Sequence, residues 1–308
     1  MNKKAAGVFL TILGGASWGL SGSMGQYLFQ YEGMDSRWLV PIRLSLSGII
    51  LLIWCFVRYG KFTFDPWKRR RTAALLLAYS LPGIALCQFL YFLTIQLSSA
   101  GMGTILQDLS PVMILLVSCL AQKKMPSGLQ IASIVLALSG VFLLVTHGNL
   151  HTLQVSPQAL TAGVLCAATV TVYNMLAAPL QVKYPVTLMQ GWAFLLGGGL
   201  MMLIFRPWTV AYVPSAMGVF GIFFVVAVGN LIAFSAYIKG IGYIGPEKGI
   251  LYGFSEPVTA AVVSTMFLGS SFTLWDLCGF ILIFLMMVMI SLDARNKKKE
   301  LYQKPEHS

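Results

Sequence analysis

Runs of about 20 apolar residues recur along the whole chain, and the charge is concentrated in the short links between them. A helix rising 1.5 Å per residue needs roughly that length to cross a bilayer. Ten runs meet it, at 5–30, 37–57, 72–94, 100–121, 127–146, 157–180, 185–205, 214–238, 245–268 and 273–292. The pattern predicts an all-α integral membrane fold of ten transmembrane helices. A shift of 146 positions brings a long window into register with itself. Tyr91 then meets Tyr237, Gly103 meets Gly249, Pro111 meets Pro257, Val112 meets Val258, Ser118 meets Ser264 and Ser127 meets Thr273. The chain therefore divides into a first five-helix repeat at 1–150, a second at 151–292, and a basic tail at 293–308. Five crossings is an odd number, so the second copy begins on the opposite side of the membrane. The copies are then inverted and enclose a central cavity, the arrangement of many secondary transporters.

Composition agrees: 57% of residues are hydrophobic and 10% are charged, against roughly 25% charged in soluble domains. The net charge of +11 would suit nucleic acid if the basic residues formed a reading surface, but they do not. Lys3 and Lys4, the run from Arg58 to Arg71, Lys123 and Lys124, Lys183, Lys239 and the tail all fall on one side when ten spans alternate. Arg37 and Arg206 alone occupy the links of the other side. The asymmetry predicts a multi-pass protein of the cytoplasmic membrane with both termini cytoplasmic. The basic residues become topology signals and headgroup contacts, and nucleic acid is not an expected partner. Cys55, Cys87, Cys119, Cys166 and Cys278 all lie inside apolar runs, so no disulfide framework is implied. No Walker loop, zinc-protease or serine-elbow motif occurs. His147, His151 and His307 lack helix-spaced ligand partners. No enzyme, metal site or cofactor is expected.

Several motifs resemble the drug/metabolite transporter superfamily, in its EamA-type ten-helix branch. They are Ala16-Ser17-Trp18-Gly19 in the first run, Tyr91-Phe92 through Ser110-Pro111, and Tyr237-Ile238 through Glu256-Pro257. The links after the fourth and ninth runs, Ala121-Gln122-Lys123 and Leu268-Gly269-Ser270, lack the Gly-Glu pair common in that family. The resemblance implies two inverted five-helix halves around a cavity, and small metabolites as cargo, amino acids and amines among them, with many relatives exporting.

Charges inside apolar runs cost about 2.5–3.5 kcal/mol each on insertion scales, so each marks a candidate site. Glu256 precedes Pro257 near the middle of the ninth run. Asp108 stands three residues before Pro111 in the fourth; its repeat counterpart is Phe254, so the acid breaks the symmetry. Either carboxyl could bind a substrate amine or carry a proton; the structural alternatives are a Glu256 that only satisfies a freed carbonyl, and an Asp108 bonded to a neighbouring helix or set in a wet vestibule. Arg43 in the second run reads as a residue snorkelling to the headgroups, as an anchor for a substrate carboxylate, or as an ion-pair partner of Asp108 or Glu256, and is a third candidate for coupling. Trp18, Tyr91, Tyr173, Asn174, Trp192, Asn230 and Tyr252 complete the candidate substrate-binding set. Tyr79, Gln190 and Tyr237 are further intramembrane polar groups needing partners.

The expected function is secondary transport of small metabolites, amino acids or related compounds, outward by alternating access, with a proton on Asp108 or Glu256 as the coupling candidate. Alternatives are import of a small organic cation such as a quaternary amine, and a non-transporting membrane scaffold or lipid-handling protein. Expected partners are the metabolite and the lipid bilayer, with monomer and homodimer both open.

Overall fold

The computed structural model describes residues 2–149, 153–210 and 212–303. The boundary drawn at 150/151, His151, His307 and the end of the tail at 304–308 lie outside them. Among the described residues there are ten helices long and apolar enough to span a membrane, and no strand. They are span 1 (Lys3–Gln30), span 2 (Ser36–Lys68), span 3 (Arg70–Leu97), span 4 (Ala100–Gln122), span 5 (Gly128–Thr146), span 6 (Pro157–Gln181), span 7 (Val186–Thr209), span 8 (Ala216–Ile244), span 9 (Lys248–Phe267) and span 10 (Leu274–Asn296). The protein is an all-α, ten-helix, multi-pass membrane protein.

Local chemistry sets where the helices start and stop. A helix start leaves backbone N–H groups without intrahelical partners, and hydrocarbon supplies none. The Asp35 carboxylate accepts from Arg37 N, and the Ser156 and Ser215 hydroxyls accept from Ala159 N and Gly218 N. Ser127 and Gln130 form a reciprocal capping box at the start of span 5, and Thr273 and Asp276 cap span 10 in the same way. Those two pairs stand at the 146-residue offset.

The helices are interrupted at matching places. Span 3 widens into a π-helical turn over Tyr79–Ala85, and span 8 does so over Val225–Ile232. Pro82 accounts for the first, since it has no N–H to donate to the helix ladder. Span 4 breaks at Asp108 and Leu109, between Ala100–Gln107 and Ser110–Gln122. Span 9 breaks at Phe254, between Pro246–Gly253 and Ser255–Phe267. Pro111 and Pro257 start the second segment in each case.

Packing follows a simple scheme. Span 2 lies along span 7, and span 5 along span 10. Span 1 packs on spans 8 and 9, and span 6 packs on spans 3 and 4. Bare backbone makes these approaches possible. A Cβ on Gly48 of span 2 would collide with the backbone of Leu195 in span 7. Spans 5 and 10 cross where a Cβ on Gly140 would lie 3.1 Å from Gly279 O, and one on Gly279 would lie 3.0 Å from Gly140 O. Val57, Leu120, Met266 and Phe267 are exposed on the periphery, the face that hydrocarbon covers.

Candidate functional site

Eight of the ten spans, all but 5 and 10, contribute to one central cavity of about 380 Å³. Both π-helical turns open onto it: Tyr79 and Ile84 line it from span 3, Gly229 and Asn230 from span 8. A π turn shifts the register of a helix face, which directs side chains inward at this depth. Spans 4 and 9 contribute Gln107 and Glu256, each beside a helix break. A cavity of this size, part aromatic and part polar, matches small-molecule sites.

Arg43 sits in its wall and is 3% exposed. Its Nη2 donates to Gln88 Oε1 at 2.6 Å and to Asn230 Oδ1 at 2.9 Å. Asn230 is oriented in turn, since its Nδ2 donates to Ser47 Oγ at 2.7 Å while Ser47 donates to Arg43 O. The guanidinium carbon stands 4.1 Å from the centre of the Phe92 ring, a cation–π contact. Tyr91 O–H donates to Glu256 Oε1 across 3.4 Å, a long bond. Tyr79 O–H donates to Gln190 Oε1 at 2.9 Å, and Trp18 packs on Tyr237 with ring centres 4.9 Å apart.

Of the candidates named from sequence, Trp18, Arg43, Tyr91, Tyr173, Asn174, Asn230 and Glu256 meet in this cavity. Three stand apart from its lining. Trp192 donates its Nε1–H to Thr63 O at 2.9 Å and packs on Trp67 and Phe64, holding the end of span 2 against span 7. Tyr252 lines a separate apolar groove between spans 1, 9 and 10. Asp108 caps the first segment of span 4, and its Oδ2 is buried without a hydrogen-bond partner. Arg43 does not snorkel; it points into the protein. Gln88 and Gln107 went unnamed. Gln88 could have been found, because it lies three residues before Tyr91 and shares its helix face.

Trp192→Phe keeps an aromatic ring against Phe64 and Trp67 but removes one hydrogen bond and part of the indole's packing. The expected cost is about 1–3 kcal/mol of stability, read as a drop in melting temperature, with flux unchanged. A large loss of flux would return Trp192 to the cargo site.

The EamA-like transporter family model matches residues 5–146 and again 158–292. This chain belongs to the EamA-like transporter family. It is 33% identical over 299 residues to the uncharacterized inner membrane transporter YicL of Salmonella typhimurium (strain LT2), covering 97% of this chain and 99% of that protein. A solved crystal structure shares the fold, with a TM-score of 0.62 at 17% identity, covering 96% of this chain and 99% of the other.

In this EamA-like transporter the cavity is one-sided. It extends to Gln181 and Val186, where span 6 ends and span 7 begins, and to Ile241 near the end of span 8. The start of span 1 lies at the same face, since Gly7 abuts Tyr243 and Ile244. Towards the other end of span 1 the helices close on Gln26, which is fully buried. Its Oε1 accepts from Ala100 N and Ser264 Oγ, both at 2.8 Å, and its Nε2 donates to Ser270 Oγ at 2.9 Å. Span 1 is thereby tied to the start of span 4, to span 9 and to the link before span 10. Nearby, Gln96 accepts from Ser36 N and donates to Asp35.

Proposed function

We propose that this family member is a secondary transporter working by alternating access, with two inverted five-span halves exchanging roles around the central cavity. The observation that carries the reading is a single cavity of about 380 Å³, shared by eight spans, reaching one face while hydrogen bonds centred on Gln26 close the other. Inversion is supported by the packing scheme. Exchanging each span for the one five places along carries contacts 1–8 and 1–9 onto 6–3 and 6–4 and leaves 2–7 and 5–10 unchanged. The same offset carries Tyr79 onto Val225 at the start of the π turns, and the contact of Gly103 with Ile95 onto that of Gly249 with Ile241. Halves built alike can adopt each other's conformations at similar energy, so a second state open to the other face is within reach of cargo binding.

The charge asymmetry of the links supports a cytoplasmic position for the reached face and for both termini. Cargo loading from inside fits export of a small metabolite such as an amino acid. Glu256, in the cavity, and Asp108, next to the cavity residue Gln107 at the break in span 4, are the proton-coupling candidates. Import of an organic cation is the weaker reading, because a buried guanidinium shares the cavity.

Purified protein in liposomes, loaded with amino acids and amines identified by thermal shift, tests the proposal at two pH values. Flux that rises with an imposed proton gradient, and loses that dependence in Glu256→Gln or Asp108→Asn, is expected. Flux indifferent to pH and to both substitutions would remove the proton from the mechanism. Absence of flux for the whole panel would favour a scaffold or lipid-handling role.

A further inference from the structure

Among the described residues no carboxylate pairs with Arg43. Its two acceptors, Gln88 and Asn230, are neutral amides. A guanidinium has five N–H donors in a fixed plane; here both bonds from the protein fall on Nη2, and Nε and Nη1 are buried without hydrogen-bond partners. Burying a cation unpaired is costly, and the Phe92 face offsets only part of that cost. Glu256, the carboxyl of the same cavity, is bonded to Tyr91 instead.

From this geometry we infer that Arg43 is the anchor for a carboxylate on the cargo, with Gln88 and the Ser47–Asn230 pair as positioning residues that hold the guanidinium. The inference rests on the transport reading and narrows its cargo to molecules bearing a carboxylate. With both Nη2 hydrogens given to Gln88 and Asn230, a cargo carboxylate is met by a charge-assisted bond from Nε or Nη1 rather than by a bidentate fork. Glu256 in the same cavity disfavours a dianion such as a phosphate monoester. An amine on the cargo is compatible with Glu256 and Tyr91 but is not required by the Arg43 site. The amide partners matter for a second reason. An aspartate at position 230 or 88 would have paired with Arg43 internally and left no charge for cargo.

That contrast supplies the test. Asn230→Asp changes an amide nitrogen to oxygen and provides a built-in counter-ion 2.9 Å from Nη2. The probes are leucine, its decarboxylated analogue 3-methylbutylamine and its deaminated analogue 4-methylpentanoate, with the equivalent phenylalanine and threonine sets. Binding is read by thermal shift and scintillation proximity, and flux in liposomes. Wild-type protein is expected to bind carboxylate-bearing members and to lose about 100-fold in affinity for the amines. Asn230→Asp should keep or raise the melting temperature of the empty protein while losing carboxylate binding by a similar factor. Arg43→Gln should lose it as well, and Arg43→Lys should retain part. A purely structural Arg43 would leave Asn230→Asp with undiminished carboxylate binding, and that overturns the inference. So does a wild-type protein that binds none of the carboxylates, or that binds the amines as tightly. If amines are carried and Arg43→Gln carries them equally well, the anchor is wrong and the transport reading survives. If nothing is carried, both fail.

Discussion

Gln26→Leu is expected to shift the resting equilibrium away from the closed end seen here. The side chains have similar volume, so packing is largely kept. What is lost is a hub. Ala100 N–H, at the start of a helix segment, and the hydroxyls of Ser264 and Ser270 would all lose their partner. Each buried polar group left unsatisfied costs about 1–3 kcal/mol. The cost falls on the state in which span 1 meets spans 4 and 9 here, and is relieved when they part. A net bias of about 3 kcal/mol changes a two-state population ratio by roughly 100-fold. Spin labels at Arg37 and Ser271, both exposed at this end, should report a longer distance in Gln26→Leu than in wild type. Unchanged distances with unchanged stability would mean that the hub is not a gate. Gln26→Glu provides a check, because it keeps the acceptor for Ala100 N and Ser264 and exchanges the amide donor for a buried carboxyl, which can donate to Ser270 only when protonated.

Gly19→Val is expected to prevent folding. A Cβ at Gly19 would lie 2.5 Å from Glu256 O, 2.9 Å from Thr259 Cβ and 3.0 Å from Ala260 N. Two of these are backbone atoms just past the break in span 9, and they cannot rotate away. Overpacking a core commonly costs about 1–3 kcal/mol, and more where backbone must move. Here the displacement would separate span 1 from the residue that brings a carboxyl into the cavity. Fluorescence-detected size exclusion should show little monodisperse protein. Gly199→Ala is the matched control, with nothing within 4 Å of the added Cβ, and should express normally. Normal yield and flux from Gly19→Val would refute the close contact of spans 1 and 9.

The candidate site was partly legible from composition alone, for a physical reason. Hydrocarbon penalises every charge and unpaired polar group, so Arg43, Glu256, Asn230 and Asn174 stood out where a soluble core would have hidden them. Reading depth without direction had a cost. Trp192 and Tyr252 lie within spans but turn to a helix interface and to an apolar groove, and helix rotation follows from packing. Asp108 stands out in the sequence because it breaks the repeat. The break in span 4 leaves it beside the cavity, while its neighbour Gln107 lines the wall.

The sequence by itself determined the number of spans, most of their boundaries to within a few residues (spans 2 and 8 run on past their expected ends at 57 and 238 to Lys68 and Ile244), and the matched interruptions at Pro111 and Pro257. These follow from bilayer thickness, from the charge that hydrocarbon excludes and from the N–H that proline lacks. Tertiary structure alone decided which spans touch, that the π turns of spans 3 and 8 face one cavity, and that Arg43 is held by Gln88 and Asn230 without a counter-ion. Contacts between residues 45 or 187 positions apart depend on how ten helices rotate and pack against one another. Hydropathy is blind to that choice, because every rotation of an apolar helix costs lipid nearly the same and only side-chain fit selects among them.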